Sequence, residues 1–333
     1  MTAPILHGGG ISEAARLFGG DPSDWLDLST GINPCPVAIP EIDPRAWHRL
    51  PDKHLEEAAR AAASHYYRTG GLLPLPVPGT QAAIQLLPRL AADQKRVAVF
   101  GPTYGEYARV LQAAGIIVDF VETADQLTAA HAIAVVVNPN NPTGRLFQSE
   151  EILGMAEAMA SHGGLLIVDE AFGDLYPETS VAPHVVDNDN LVVFRSFGKF
   201  FGLAGLRLGF VVATAAVLEP FRDWLGPWAV SGPALSIAAK LMEGDTQAIA
   251  KCILERKAGL DAVLEGAGFE IIGGAGLFAL IEHECAHHIH RALCEARILT
   301  RRFDYNPSWL RFGLAADENG DRRLAEALQG TSI

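Results

Sequence analysis

Short aliphatic runs, each closed by a turn-forming polar cluster and followed by a helix-like stretch, constrain this chain more than any other feature. Ala134-Val135-Val136-Val137 runs into Asn138-Pro139-Asn140-Asn141-Pro142-Thr143-Gly144, and Leu165-Leu166-Ile167-Val168 runs into Asp169-Glu170-Ala171-Phe172. Short unbroken β-branched or aliphatic runs read as strands buried on both faces, hence as parallel strands. Further strands are predicted over 96–100, 116–121, 191–195 and 207–213, with helices over 55–67, 79–92 and 104–114. Strands alternating with helices imply an α/β fold, a mostly parallel sheet with right-handed crossovers.

The 333 residues fit one large domain and a smaller one. We divide the chain into an N-terminal arm, 1–50, rich in Pro and Gly, a large domain, 51–230, and a small α+β C-terminal domain, 231–333. A long helix over 234–267 bridges into the small domain, which has strands near 269–272, 277–281 and 309–312 and a helix between 285 and 297. No internal repeat or low-complexity tract interrupts the pattern.

In open α/β sheets ligands gather at the carboxyl ends of the strands. Asn141, Asp169 and the residues after the 191–195 run should therefore emerge at one sheet edge. Those last residues are Ser196-Phe197-Gly198-Lys199, with Arg207 eight positions on. A hydroxyl, a glycine turn, an amine and a fixed cation suit an aldehyde cofactor bearing a phosphate. The amine can form a Schiff base, while hydroxyl and guanidinium hold the phosphate's charge. Taken singly, such a lysine is equally a solvated turn residue, Asn-Pro-Asn-Asn-Pro a turn, and Asp169 a helix N-cap. Their joint occurrence in this order carries the reading. Pro78-Gly79-Thr80-Gln81 adds the start of a helical pattern, where backbone amides bind anions.

Composition excludes several classes. Nearly half the residues are apolar and a fifth charged, as in a globular protein. No run approaches the ~20 apolar residues of a membrane span. Met1-Thr2-Ala3-Pro4 opens without an evident signal or transit peptide. The four cysteines, Cys35, Cys252, Cys285 and Cys294, lack paired spacing and read as reduced thiols of a cytoplasmic protein. A formal charge of −13 argues against nucleic acid, and an anionic substrate must meet a local positive site.

The set N-P-N-N-P-T-G, D-E-A-F and S-F-G-K with G-L-R-L-G resembles, over nearly the whole chain, the fold-type I pyridoxal-phosphate enzymes of the class I/II aminotransferase superfamily. The resemblance implies pyridoxal 5'-phosphate as cofactor and a catalytic set of Lys199, Asp169 and Tyr104. Lys199 is implied as the Schiff-base lysine, Asp169 as partner of the pyridinium nitrogen and Asn141 as partner of the ring's phenolic oxygen. Gly79, Thr80, Gln81, Ser196 and Arg207 are implied around the phosphate. Tyr104 would stack on the ring, though alone it is equally a helix-start aromatic.

His7-Gly8-Gly9 and Leu28-Ser29-Thr30-Gly31-Ile32-Asn33-Pro34 resemble the opening of the threonine-phosphate decarboxylases of cobalamin biosynthesis, relatives of histidinol-phosphate aminotransferase. That resemblance implies decarboxylation of L-threonine O-3-phosphate to (R)-1-amino-2-propanol O-2-phosphate. It places His7, Gly31, Ile32, Asn33 and Asn141 on the substrate. Arg311, in Trp309-Leu310-Arg311-Phe312-Gly313, matches the family's substrate-binding arginine. Arg301 and Arg302, after Ile298-Leu299-Thr300, are candidate phosphate clamps, and equally charges of an edge strand. His7 alone is equally a solvated terminal histidine.

Two departures stand out. Phe172 replaces the tyrosine that transaminating relatives carry three residues after the pyridinium aspartate. Arg49-Leu50-Pro51 replaces Arg-Tyr-Pro, which weakens the usual reason for the expected homodimer, and Tyr66 and Tyr67 stay unassigned. The alternatives are an aminotransferase of histidinol-phosphate type and, from another class, a non-catalytic cofactor-binding protein. His283-Glu284-Cys285-Ala286-His287 satisfies the zinc pattern H-E-x-x-H. It begins where an apolar strand ends, and Ile289, Leu293 and Ala296 continue as the stripe of a packing helix, so no metal site is expected.

Overall fold

The computed structural model describes residues 7–35, 37–91 and 96–330. The readings on Met1–Pro4 and on Ala92, the end of the predicted 79–92 helix, lie outside them. The strands are, in chain order, β1 (Leu26–Asp27), β2 (Leu75–Val77), β3 (Arg96–Phe100), β4 (Ile117–Val121), β5 (Ile133–Val137), β6 (Leu165–Asp169), β7 (Leu191–Ser196), β8 (Gly209–Val212), β9 (Ile271–Ala275), β10 (Phe278–Glu282), β11 (Ile298–Leu299), β12 (Arg301–Phe303) and β13 (Asn306–Gly313). They fall into two compact units. The larger takes in 37–141 and 146–246, and the smaller 7–35, 142–145 and 247–330.

The larger unit holds a seven-stranded sheet in the order β2-β8-β7-β6-β5-β3-β4, with β4, β3, β5, β6 and β7 parallel. Every residue of β5 and β7 is buried, as strands covered on both faces require. On one face Val97, Val99, Val135, Ile167, Val192 and Phe194 share a core with Ile84, Leu87, Tyr107 and Leu111 of the helices Thr80–Leu90 and Glu106–Ala113. Helix Ser149–Ala160 buries Ile152, Met155, Ala156 and Met159 and packs against β6. Because β3 leads outward to β4 while β5 leads to β6, the order reverses between β3 and β5. Open sheets bind ligands at such a reversal. Thr103 and Asn140 close the loops there: Thr103 Oγ1 donates to Asn140 Oδ1 at 2.5 Å, and Asn140 Nδ2 to the Pro102 carbonyl at 2.9 Å.

The parallel pattern ends at β8, which runs antiparallel to both β7 and β2. The chain leaves β7 through a four-residue helix, Phe197–Phe200, and a 3-10 turn, Ala204–Leu206. That link reverses direction without crossing the sheet. The expected glycine turn at Gly198 is thus part of a helix, and Arg207, at φ 53°, makes the return bend instead of starting a strand. The continuous helix expected over 234–267 is two helices, Gly232–Met242 and Thr246–Gly266, parted at Gly244.

The smaller unit carries an antiparallel sheet, β12-β13-β10-β9, and the parallel pair β1-β11. Residues 7–35 belong here: the Leu26 and Leu28 amides donate to the carbonyls of Arg297 and Leu299, tying the arm's strand to β11. The cysteine reading is corrected in this unit. Cys35 and Cys252 form a disulfide, 217 residues apart in sequence with Cα atoms at 6.7 Å, and Cys285 and Cys294 are free thiols. No local spacing reports a pair that only the tertiary fold brings together. Among the described residues, no helix is long and apolar enough to cross a membrane.

Gly209 in β8 lies where a Cβ would stand 2.9 Å from both the Arg195 carbonyl and the Thr80 amide nitrogen. Neither backbone atom can retreat alone. Gly209→Ala should cost ~1–3 kcal/mol as an overpacked site, lowering Tm by a few degrees in a thermal scan; an unchanged Tm would show that Thr80 does not approach so closely.

Candidate active site

Asp169 ends β6 with 3% of its surface exposed. The Tyr107 hydroxyl donates to its Oδ2 at 2.7 Å and the Ala171 amide to its Oδ1 at 3.0 Å. Burial pushes the carboxyl above its usual range, while those two donors and the Lys199 ammonium pull the other way. Lys199 rides on the Phe197–Phe200 helix with its Nζ 5.7 Å from the centre of the Phe172 ring. Phe172 is itself buried. An amine and a carboxylate from neighbouring strand ends thus meet at one sheet edge.

Beside them the end of β7, the start of β8 and the first turn of helix Thr80–Leu90 come together. Ser196 pairs across the sheet with Gly209, and Gly209 abuts the Thr80 amide at the first turn of helix Thr80–Leu90. Gly79, at φ 75°, caps that helix, and a Cβ there would lie 2.8 Å from Arg207 Nη2. Only glycine suits both that backbone conformation and that approach. Ser196, the first turn of helix Thr80–Leu90 and the Arg207 guanidinium are thus neighbours around Gly79 and Gly209. Gln81 is used differently: its Oε1 accepts from the Tyr104 hydroxyl at 3.1 Å and its Nε2 donates to Glu106 at 2.7 Å. Its side chain steadies Tyr104. Asn141 follows the β5 turn, half-buried.

Beneath this edge lies a buried ionic group absent from the sequence reading. Arg195 pairs with Glu170 and, at 3.2 Å, with Asp174, and its guanidinium sits 4.4 Å over the Tyr67 ring. Glu170 also accepts from the Ser180 hydroxyl and the Val181 amide. The unassigned Tyr66 and Tyr67 belong to this group, and burial raises both phenols.

The smaller unit gathers the other candidates. Arg311 on β13 is buried, donates to the Ser29 carbonyl at 2.8 Å and lies over the Phe278 ring. Arg301 on β12 is its cross-strand partner. Each guanidinium lies over an aromatic ring, Arg301 over Phe303 and Arg311 over Phe278. Arg302 does not join them. Successive strand residues face opposite ways, and Arg302 Nη1 instead donates to His287 Nδ1 at 3.0 Å. The arm stays close to Arg311: the Gly9 amide donates to Ser29 Oγ, and Gly8 packs against the Ser29 carbonyl. That leaves the neighbouring His7 exposed near Ser29. Asn33 is buried, accepting from the Cys35 amide at 2.8 Å, and Gly31 and Ile32 precede it in the same loop. Ser29, Tyr107 and Glu106 escaped the sequence reading because their roles depend on tertiary contacts; only the spacing Tyr104-x-x-Tyr107 hinted at a shared face.

The H-E-x-x-H residues separate. His283 sits in the turn after β10, its Nδ1 accepting from the Cys285 amide, and the helix starts only at Ala286. Among the described residues no three His, Cys, Asp or Glu side chains cluster for a metal. His290 turns inward to Thr300 and Cys294.

The family model for aminotransferase class I and II matches residues 23–328, and the chain belongs to that family, in its fold-type I form. Within the family it is similar to a threonine-phosphate decarboxylase of Sinorhizobium sp, 67% identical over 328 residues and 98% of each chain. It is also similar to the threonine-phosphate decarboxylase of Pseudomonas aeruginosa, 42% identical over 98% of each chain. The crystal structure of histidinol-phosphate aminotransferase from Sinorhizobium meliloti, in complex with pyridoxal-5'-phosphate, superposes with a TM-score of 0.80 over 98% of this chain and 96% of that one. At 19% identity it shows the fold alone.

His290 gives a test of the smaller unit. Burial, then the charges of Arg302 and His287, hold its imidazole down at about 4. The unfolded chain takes up a proton near its ordinary value of 6.5, which the folded chain refuses until about 4. Stability is therefore complete above that ordinary value and falls as pH drops through the window, by at most ~1.4 kcal/mol per unit. His290→Gln should flatten the fall in denaturant midpoint between pH 7 and 5; an equally steep fall would contradict the assignment.

Proposed function

We propose that this enzyme decarboxylates L-threonine O-3-phosphate to (R)-1-amino-2-propanol O-2-phosphate and carbon dioxide. The 67% identity along almost the entire chain to a threonine-phosphate decarboxylase carries the reading. The cofactor is pyridoxal 5'-phosphate, and the residues fit it: an amine for the aldehyde, a buried carboxylate for the ring nitrogen, and a cradle of amides, hydroxyl and guanidinium that a Cβ at Gly79 or Gly209 would fill. When bound, it supplies an electron sink for a bond breaking at the substrate's Cα.

The chain's own residues would do the rest. Lys199 would anchor the aldehyde and, once displaced by substrate, hold on its Nζ the proton that replaces the lost carboxylate. Asp169 would hold the ring nitrogen, Asn141 the phenolic oxygen, and Tyr104, steadied by Gln81, one ring face. Phe172 offers no hydroxyl to that oxygen, in keeping with a reaction other than transamination. Gly79, Thr80, Ser196 and Arg207 would hold the cofactor's phosphate. Arg311 and Arg301 would take the substrate's acidic groups, with His7, Gly31, Ile32 and Asn33 shaping their surroundings, while Arg302 would serve packing.

The amino-alcohol phosphate is the unit that the arm's resemblance ties to the nucleotide loop of cobalamin, which is the pathway we propose. A doubly charged substrate does not cross a bilayer, which supports a cytoplasmic enzyme. Exposed Trp47, Leu50 and Trp228 in the larger unit support a homodimer.

Purified enzyme should be yellow, and Lys199→Ala should abolish both the colour and turnover. Carbon dioxide should be released from threonine phosphate with no 2-oxo acid present. Strict dependence on 2-oxoglutarate would instead make the chain an aminotransferase.

A further inference from the structure

Tyr107 is fully buried in helix Glu106–Ala113, within the core that covers one sheet face. Its ring meets Tyr104 edge-on at 6.3 Å, and its hydroxyl donates to Asp169 Oδ2 at 2.7 Å. Two buried polar groups have thus been brought together in an apolar core, which is costly unless the contact is used. The Ala171 amide takes the other carboxylate oxygen. Between them the two donors engage both oxygens and fix the carboxylate plane.

We propose that Tyr107 is a positioning residue for the reaction, orienting the Asp169 carboxylate and limiting its basicity toward the cofactor's ring nitrogen. The inference rests on the reading that Asp169 faces that nitrogen. The charged and titratable groups around Asp169 are Tyr107, Lys199 and Glu170. Lys199 favours the carboxylate while burial and Glu170 oppose it, so the phenol sits on the side that keeps the carboxylate charged. Without its donor Asp169 would be a stronger base and would hold more of the proton it shares with the ring nitrogen. Bond breaking at Cα would then be slower, and the Lys199 nitrogen would keep its proton to higher pH.

The test uses holoenzyme. Tyr107→Phe should retain the cofactor but shift the pH midpoint of its visible absorbance upward by at least about half a unit, a fraction of the worth of one hydrogen bond to a charged group. kcat should fall roughly tenfold with KM nearly unchanged, the signature of an interaction used in the transition state. With 15N-labelled cofactor, the ring-nitrogen shift should move toward that of neutral pyridine. Replacing Tyr107 by 3-fluorotyrosine, a stronger donor of nearly the same shape, should move the midpoint down, and this arm stands if the phenylalanine variant folds poorly. An unchanged midpoint in both variants, with Asp169→Asn shifting it, would overturn the role of Tyr107. An unchanged midpoint in Asp169→Asn would instead overturn the reading of Asp169.

Discussion

A carboxylate held in the core at the end of β6 is the constraint on which the larger unit depends. Leaving a charge such as Asp169 away from water costs several kcal/mol unless hydrogen bonds and an opposite charge offset it. The offset comes from three elements: Tyr107 from a helix, Ala171 from the turn after β6, and Lys199 from the short helix after β7. Each must be placed to within a hydrogen bond's tolerance. Sheet order, crossover helices and the reversal at β8 are therefore part of the site as much as of the fold.

The next residue along repeats the arrangement for structure. Glu170 points away from Asp169 and ends in the Arg195–Asp174 group, with Ser180 and Val181 attached. Neighbouring residues at the two strand ends thus face opposite ways: Asp169, the last of β6, away from Glu170 just after it, and Ser196, the last of β7, away from Arg195. The ionic group ties the segment after β6 to the end of β7. In the smaller unit β12 and β13 hold Arg301 and Arg311 opposite one another.

What could be read in the sequence was what depends on neighbours in the chain. The runs 134–137 and 165–168 fall in parallel strands, and the polar residues that close them do line one edge, because side-chain periodicity and turn chemistry are local. The antiparallel turn of β8 was hidden because Arg207 takes a left-handed backbone that residue type does not announce. Pairing of the arm with β11, the Cys35–Cys252 bond and the reach of Tyr107 to Asp169 join residues far apart in sequence, and no window of sequence contains both partners. Arg302 differs: strand alternation alone separates it from Arg301, a signal present but obscured by two equal side chains in a row.

The central claim is that Lys199, between Ser196 and Arg207 and beside Asp169, is where this chain holds its cofactor. Borohydride reduction of the holoenzyme, followed by proteolysis and mass spectrometry of the labelled peptide, tests it most directly. The account predicts one pyridoxyl-phosphate adduct, on Lys199. An adduct on another lysine, or none in a protein that still binds the cofactor, would contradict it.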